Sequence, residues 1–425
     1  MHKVSEISIK NISKIEGHTH LTVKLRGKKV EHAELRISEN KRFFMQAIKG
    51  KPFAVVPPTV SRICGTCSVA HLLASTEAVE KALGVKPSSQ TMVQRKLLMN
   101  GLNIRDHALH LYFFCMPDLF GKDSVLEFDG KLQKWLHDAF AVKTAGNNLC
   151  KLVGGRSVHP TLSAIGGFSA QPKKEEIPLV VSQLNEIRPK ILGLIEVFYN
   201  SPFSFRRKTN HVALCTDDYS FLEGEIRSDE GACIPEINYW EHLHRVIMPY
   251  STSTYFKFEG KPFMVGALAR MNQNRGALHK DTKKDAQKFL KRFPSEDVFD
   301  NMLAQSIEIL HCIDYSIELL ESTDFQPEKP PQITPKAGQG VGVVEAPRGT
   351  LYYAVTLDAK GNVSNSNIVI PTAQNSINFE KDVATMVPKI LSKPKHDIEH
   401  ELEKLLRAYD PCMSCATHFL KVKWI

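Results

Sequence analysis

No run of about 18 consecutive apolar residues occurs in the sequence, which excludes a membrane-spanning helix. The amino end, Met1-His2-Lys3-Val4-Ser5-Glu6, lacks the charged-then-apolar pattern of a secretory leader and passes straight into strand-like sequence. An even set of cysteines is also missing. The chain has nine, which speaks against a secreted disulfide framework and for thiols kept reduced in a cytoplasm. Five of them, Cys115, Cys150, Cys215, Cys233 and Cys312, are scattered, mostly beside apolar residues, and read as buried thiols. Long blocks of one charge are absent too. The formal net charge is +9, yet Lys173-Lys174, Lys283-Lys284 and Lys291-Arg292 alternate with Glu175-Glu176, Asp281, Asp285 and Glu296. That is the pattern of solvated helical faces, and it argues against a nucleic-acid partner. Only Arg206-Arg207-Lys208 lacks acidic neighbours.

What is present is a pair of short cysteine motifs near opposite ends. The first is Arg62-Ile63-Cys64-Gly65-Thr66-Cys67, with His71 downstream; the second is Asp410-Pro411-Cys412-Met413-Ser414-Cys415, with His418 downstream. Two thiols two residues apart can hold a soft metal ion as thiolates. Compact zinc modules place their two pairs some 15 to 20 residues apart, because the metal replaces a core that a short chain cannot build. Here nearly the whole chain separates them, and 425 residues with 42% hydrophobic content need no such staple. From spacing alone, structural zinc, a redox-active metal and unrelated thiols all remain open.

The periodicities describe an α+β chain, predominantly helical, with a central bundle of long helices and small peripheral antiparallel sheets. Leu21, Val23 and Leu25 alternate, Arg26-Gly27-Lys28-Lys29 turns, and Ala33, Leu35 and Ile37 return, giving a hairpin over 7–37. Helices are predicted from Gly65 to Leu83, from about Gln90 to Phe114 and after Pro178, within a helical core over 61–200 and 281–325. The stripe Leu303, Ile307, Leu310, Ile317 and Leu320 belongs to the second of these blocks. Residues 201–275 read as a mixed, β-rich excursion without catalytic signals. A second hairpin is expected over 341–371, turning at Lys360-Gly361-Asn362, and a last helix over 397–408. Gly338-x-Gly340-x-Gly342 lacks the preceding strand and following helix of a dinucleotide fingerprint. His107 and His110 fall on a buried helix and read first as core histidines.

The wording of the two cysteine motifs, in this order and at opposite termini, resembles the large, catalytic subunit of nickel-iron hydrogenases, and most closely its soluble cytoplasmic group, including sulfhydrogenase alpha subunits. Other segments carry the same resemblance: Lys14-Ile15-Glu16-Gly17, Arg105-Asp106-His107-Ala108-Leu109-His110, Gly154-Gly155-Arg156-Ser157-Val158-His159-Pro160, Glu345-Ala346-Pro347-Arg348-Gly349 and Pro371-Thr372-Ala373-Gln374-Asn375. The resemblance implies reversible oxidation of hydrogen at a nickel and an iron that carries cyanide and carbon monoxide. Cys64 and Cys412 would be terminal nickel ligands, and Cys67 and Cys415 would bridge the metals. Glu16 would relay protons, since a carboxyl group in a partly dry site can both give and take one. Arg348 would sit above the metals with a charge that does not titrate. Asp106 and Asp410 would stand beside the site, His71, Pro347 and Pro371 would line it, and the Thr372 hydroxyl would bond an iron-bound cyanide.

The family also has a magnesium held by a glutamate, a terminal histidine and a backbone carbonyl. Met45 stands where that glutamate is usual, and a thioether suits a hard cation poorly, so His418 and the carbonyl of Ile368 remain as ligands. The resemblance further implies a domain over 1–418, a tail of residues 419–425 cut off by a maturation endopeptidase after nickel chaperones have acted, and a cytoplasmic complex. In that complex an iron-sulfur small subunit receives the electrons and hands them to flavin- and NAD(P)-linked subunits. Two readings compete: a hydrogenase-like scaffold or hydrogen sensor, and a four-cysteine structural zinc protein.

Overall fold

A computed structural model describes residues 4–38, 43–329 and 331–416. Its centre is helical. Helix α1 (Ser68–Leu83) is buried along nearly its whole length and ends at Gly84, whose φ of 68° gives the left-handed cap that glycine adopts without strain. Helix α2 (Ser89–Ala108) begins with the Ser88 hydroxyl accepting from the Thr91 N–H at 3.0 Å. The stretch Leu109–Cys115 then widens into π-type turns, an uncommon geometry that often marks functional sites. Helices α3 (Gln133–Gly154) and α5 (Asp300–Ser322) pack on α2, and α4 (Ile177–Tyr199) packs on α3 and α5. The expected helix from Gly65 in fact starts at Ser68, leaving both cysteines in the loop before it. The helix expected to run to Phe114 gives up α geometry at Leu109.

Two antiparallel meanders flank this bundle. Strands β1 (Val4–Ile9), β2 (Thr19–Arg26) and β3 (Lys29–Ile37) form the first, and β4 (Gly338–Ala346), β5 (Gly349–Leu357) and β6 (Val363–Val369) the second. The second is therefore three-stranded, where a single hairpin was expected. Its first turn is the two-residue loop Pro347-Arg348 between paired Ala346 and Gly349. Residues 201–275 are β-rich, with the four-stranded order Phe263–Met264, Asn210–Cys215, Glu225–Ser228, Cys233–Pro235, and the ribbon Leu243–Ile247 with Thr254–Phe258.

Helix α6 (Pro371–Ile390) went unrecognised in the sequence. Its first turn has proline at the position where a missing N–H costs nothing, and its buried face includes polar Gln374, Asn375 and Asn378, which blurs the apolar period. Helix α7 (Lys395–Ala408) leads to the second cysteine pair.

The glycines of β4 have a packing role. An added Cβ would lie 2.0 Å from the carbonyl oxygen of Ala82 at Gly338, 2.0 Å from that of Ala78 at Gly340, and 2.1 Å from that of Ala74 at Gly342. Two residues of strand span nearly the same length as four residues of helix. Alternate glycines on β4 thus meet successive turns of α1, and the helix lies directly on the backbone of the strand that leads to Arg348.

Candidate metal centre

The site is assembled where the two ends of the chain meet. Glu16 and Cys412 form a parallel bridge, with the Met413 N–H donating to the Glu16 carbonyl at 2.9 Å. Buried Asp118 clamps the junction: it accepts from Lys14 Nζ at 2.7 Å and from Arg407 Nε at 2.6 Å, while Arg407 also donates to the carbonyl of Ser13 at 3.1 Å. Asp410, with φ 49°, turns the chain out of α7 into the cysteine segment. At the other side, the Arg105 guanidinium donates to the carbonyls of Ser157 and Thr66, tying the first cysteine loop to the glycine-rich segment after α3.

Sulfur atoms of Cys64, Cys67, Cys412 and Cys415 consequently lie within 4.8 Å of one another, all buried. Cys412 Sγ is 3.5 Å from Cys64 Sγ and 3.1 Å from Cys415 Sγ. Thiols this close share their protons. Hydrogen bonds from Cys412, then Cys415 and Cys67, hold Cys64 well below the usual thiol range, whereas burial pushes Cys412 well above it. A cation among them removes that conflict by letting all four ionise.

Arg348 projects from the β4–β5 turn over the sulfurs. Its Nη1 lies 3.5 Å from Cys67 Sγ and 2.5 Å from Asp106 Oδ2, and its Nη2 lies 3.0 Å from Asp410 Oδ1. Burial works against its charge, but Asp106, Asp410 and the thiolates outweigh it and keep the guanidinium charged. Arg348 Nε and Asp106 Oδ1 are buried and have no hydrogen-bond partner among the described residues. Half-buried Glu16 places Oε2 3.0 Å from Cys412 Sγ and 3.2 Å from the Ser414 N–H.

His71 reaches Cys415 Sγ with Nε2 at 3.6 Å and pairs its Nδ1 with the Tyr353 hydroxyl at 2.7 Å. Burial pulls it down to about 4, so it is a neutral imidazole. The Thr372 hydroxyl oxygen accepts from the Cys412 N–H at 2.9 Å, which leaves its own hydrogen available. Pro371 opens α6 beside it, and Pro347 precedes Arg348 in the turn.

Of the magnesium ligands considered above, Ile368 is buried in β6 and the short helix carrying Met45 packs on that strand. His418 and the tail lie outside the described residues. His107 and His110 are indeed buried histidines with partners, Glu308 at 2.8 Å for the first, and Gln305 at 2.6 Å and the Arg407 carbonyl at 2.7 Å for the second.

The donor set fits a soft metal centre. Four converging sulfurs would also suit zinc, but a closed structural site has no use for a guanidinium beside one sulfur and a carboxylate against another. Asn301, Gln305 and Glu308 were missed in the sequence. They stand on one side of α5 and hold the Ala408 carbonyl (2.9 Å), Asp410 (2.9 Å) and His107 (2.8 Å). Polar residues at helical spacing on an otherwise apolar helix were the available signal. Arg270, in the segment read as free of catalytic signals, was missed as well.

Residues 42–138 and 231–418 match the nickel-dependent hydrogenase family. The chain is 31% identical to sulfhydrogenase 1 subunit alpha of Pyrococcus furiosus, covering 98% of each chain. It is 28% identical to NAD-reducing hydrogenase HoxS subunit beta of Cupriavidus necator, covering 98% of this chain and 95% of that one. A crystal structure of an NAD+-reducing [NiFe]-hydrogenase in the H2-reduced state superposes with a TM-score of 0.86 at 26% identity, over 97% of this chain and 99% of the other.

Proposed function

Because the chain belongs to the nickel-dependent hydrogenase family, as the large, catalytic subunit of a nickel-iron hydrogenase, we propose a division of labour among its residues in the interconversion of hydrogen with protons and electrons. Cys64, Cys67, Cys412 and Cys415 would hold the nickel and iron through their sulfurs. When bound, that centre supplies the redox-active Lewis acid at which hydrogen is polarised.

Arg348, held by two carboxylates, keeps a fixed positive charge beside Cys67 and presents an N–H into the pocket. Glu16 takes the proton from Cys412 across 3.0 Å and passes it towards solvent. His71, neutral, donates from Nε2 to Cys415 and so steadies that sulfur. Thr372 fixes the backbone at Cys412 and keeps a donor for an iron-bound ligand. The observation that carries this reading is the meeting of four buried sulfurs from the two chain ends under a guanidinium and against a carboxylate. Elemental analysis with hydrogen-dependent dye reduction tests it: nickel and iron with turnover are expected, and one zinc without nickel would overturn it.

Among the described residues, no second His, Cys, Asp or Glu group is placed to hold a metal. Electrons therefore pass to a separate iron-sulfur subunit. The face we assign to it is the cavity of about 470 Å³ lined by Ser61, Arg62, His159, Pro160, Ile165 and Pro331, which opens beside the Cys64 loop. Flavin- and NAD(P)-linked subunits beyond it, a cytoplasmic location, and removal of residues 419–425 from a domain over 1–418 complete the proposal. Co-purification with mass determination of each subunit checks these parts. No helix of the described residues is long and apolar enough to cross a membrane. Retention of all four cysteines disfavours a non-catalytic scaffold.

A further inference from the structure

Arg270 lies in the short helix Ala267–Asn274 and is fully enclosed. A guanidinium carries five N–H donors in a planar fork, and every one is used. Nε and Nη2 donate to the two oxygens of Glu308 at 2.7 Å each. Nη1 donates to Glu345 Oε2 at 2.8 Å and to the Ala346 carbonyl at 3.0 Å, and Nη2 also reaches the Pro347 carbonyl at 3.1 Å. Those two carbonyls belong to the residues immediately before Arg348. On its other side, Glu308 accepts from His107 Nε2 at 2.8 Å, and His107 follows Asp106, the carboxylate that pairs with Arg348. Glu345 in turn spans the hairpin to the Thr350 hydroxyl at 2.6 Å and caps the Leu214 N–H at 2.7 Å.

We propose that Arg270 is the positioning residue for Arg348. One planar fork ties the turn that carries the Arg348 guanidinium to Glu308 of α5, and Glu308 passes the tie through His107 to α2, which carries the partner carboxylate Asp106; the chain of contacts sets where the charge stands over the sulfurs. Arg270 touches neither sulfur nor substrate and acts only through Arg348. A β4–β5 turn of two residues has few internal bonds of its own, so its orientation depends on what grips its carbonyls. Lysine keeps the charge but cannot reproduce the fork: its compact ammonium has three donors, too few and wrongly arranged for two carboxylates and two carbonyls.

The inference rests on the role given above to Arg348, and the test separates the two. In Arg270→Lys, purified as the complete complex, nickel and iron content should remain at the wild-type level while hydrogen turnover falls about 10-fold to 100-fold, the range for misplacing a group by around an ångström. Hydrogen-deuterium exchange should rise in residues 345–350 and not in α3 or α4. In an Arg348→Lys background the same substitution should change turnover by less than about twofold, because the residue it acts through is already gone. Undiminished loss in that background, unchanged exchange at the turn, or general loss of metal and protection would overturn the inference. A fully active Arg348→Lys enzyme would instead sink the role of Arg348 itself.

Discussion

Substituting Gly342 by alanine tests whether the contact between α1 and β4 holds the site together. The new Cβ would stand 2.1 Å from the Ala74 carbonyl oxygen and 2.7 Å from the Ala78 nitrogen, against an ordinary contact distance of 3.4 Å or more. Both obstacles are backbone, so no rotamer change relieves the clash, and helix and strand must part by about 1 Å. Overpacking costs up to about 3 kcal/mol in such rigid surroundings. For a chain of this length the unfolding entropy is about 0.9 kcal/mol per degree, so Tm should fall by about 3 °C. The larger effect should be functional. Helix α1 starts directly after Cys67, and moving it away from the strand that leads to Arg348 shifts the Cys64–Cys67 loop out of its place beside that guanidinium. Calorimetry and nickel analysis on purified protein read both consequences. Gly276→Ala, where an added Cβ meets nothing within 4 Å, is the control and should match the wild type. Gly342→Ala with unchanged Tm and full nickel content would refute the packing role of the glycine stripe.

Burial, opposed by hydrogen bonds from the Leu35 N–H and the Tyr250 hydroxyl and aided by Glu34, pushes Glu380 up to about 7. A carboxyl group raised above its unfolded value of 4.5 binds its proton more tightly in the folded chain, so stability falls as pH rises from 4.5 to 7 and levels off above, by about 3 kcal/mol in total. Glu380→Gln keeps the acceptor for both donors and cannot ionise. It should raise stability at pH 8 and lose that advantage near pH 5, whereas an equal difference at both pH values in denaturant titrations would contradict the assignment. Glu16→Gln should retain nickel and iron but lower turnover by about 100-fold or more, since the amide cannot relay a proton; wild-type rates in a dye assay would remove Glu16 from the route. Asp118→Asn leaves Lys14 and Arg407 partly unpaired in a buried place, which should cost about 3 to 5 kcal/mol and loosen both chain ends in hydrogen exchange. Exchange no different from wild type would show that the clamp is dispensable.

Several features of this chain are legible in its sequence. Period and punctuation located α1 and α7 to within three residues and placed α2, α4 and α5 in the chain, because a stop such as Gly84 acts on its immediate neighbours. The cysteine motifs admitted a soft metal, since thiolate affinity is a property of the side chain itself, and their resemblance to the hydrogenase family selected that reading over unrelated thiols. Helix α6 escaped because its buried face is polar, and a polar face can be buried only when partners from elsewhere satisfy it, as the Thr350 carbonyl does for Gln374 and the Tyr409 hydroxyl does for Asn378.

The roles of Gln305, Glu308 and Arg270 escaped for the same reason. A buried ion pair or hydrogen bond joins residues far apart in the chain, and nothing local to either partner announces the other. Residue type and order thus determined which atoms could bind metal and carry protons. Tertiary structure alone decided that sulfur, guanidinium and carboxylate would face one another, because only a closed fold excludes water from that meeting point and makes each charge depend on its neighbour.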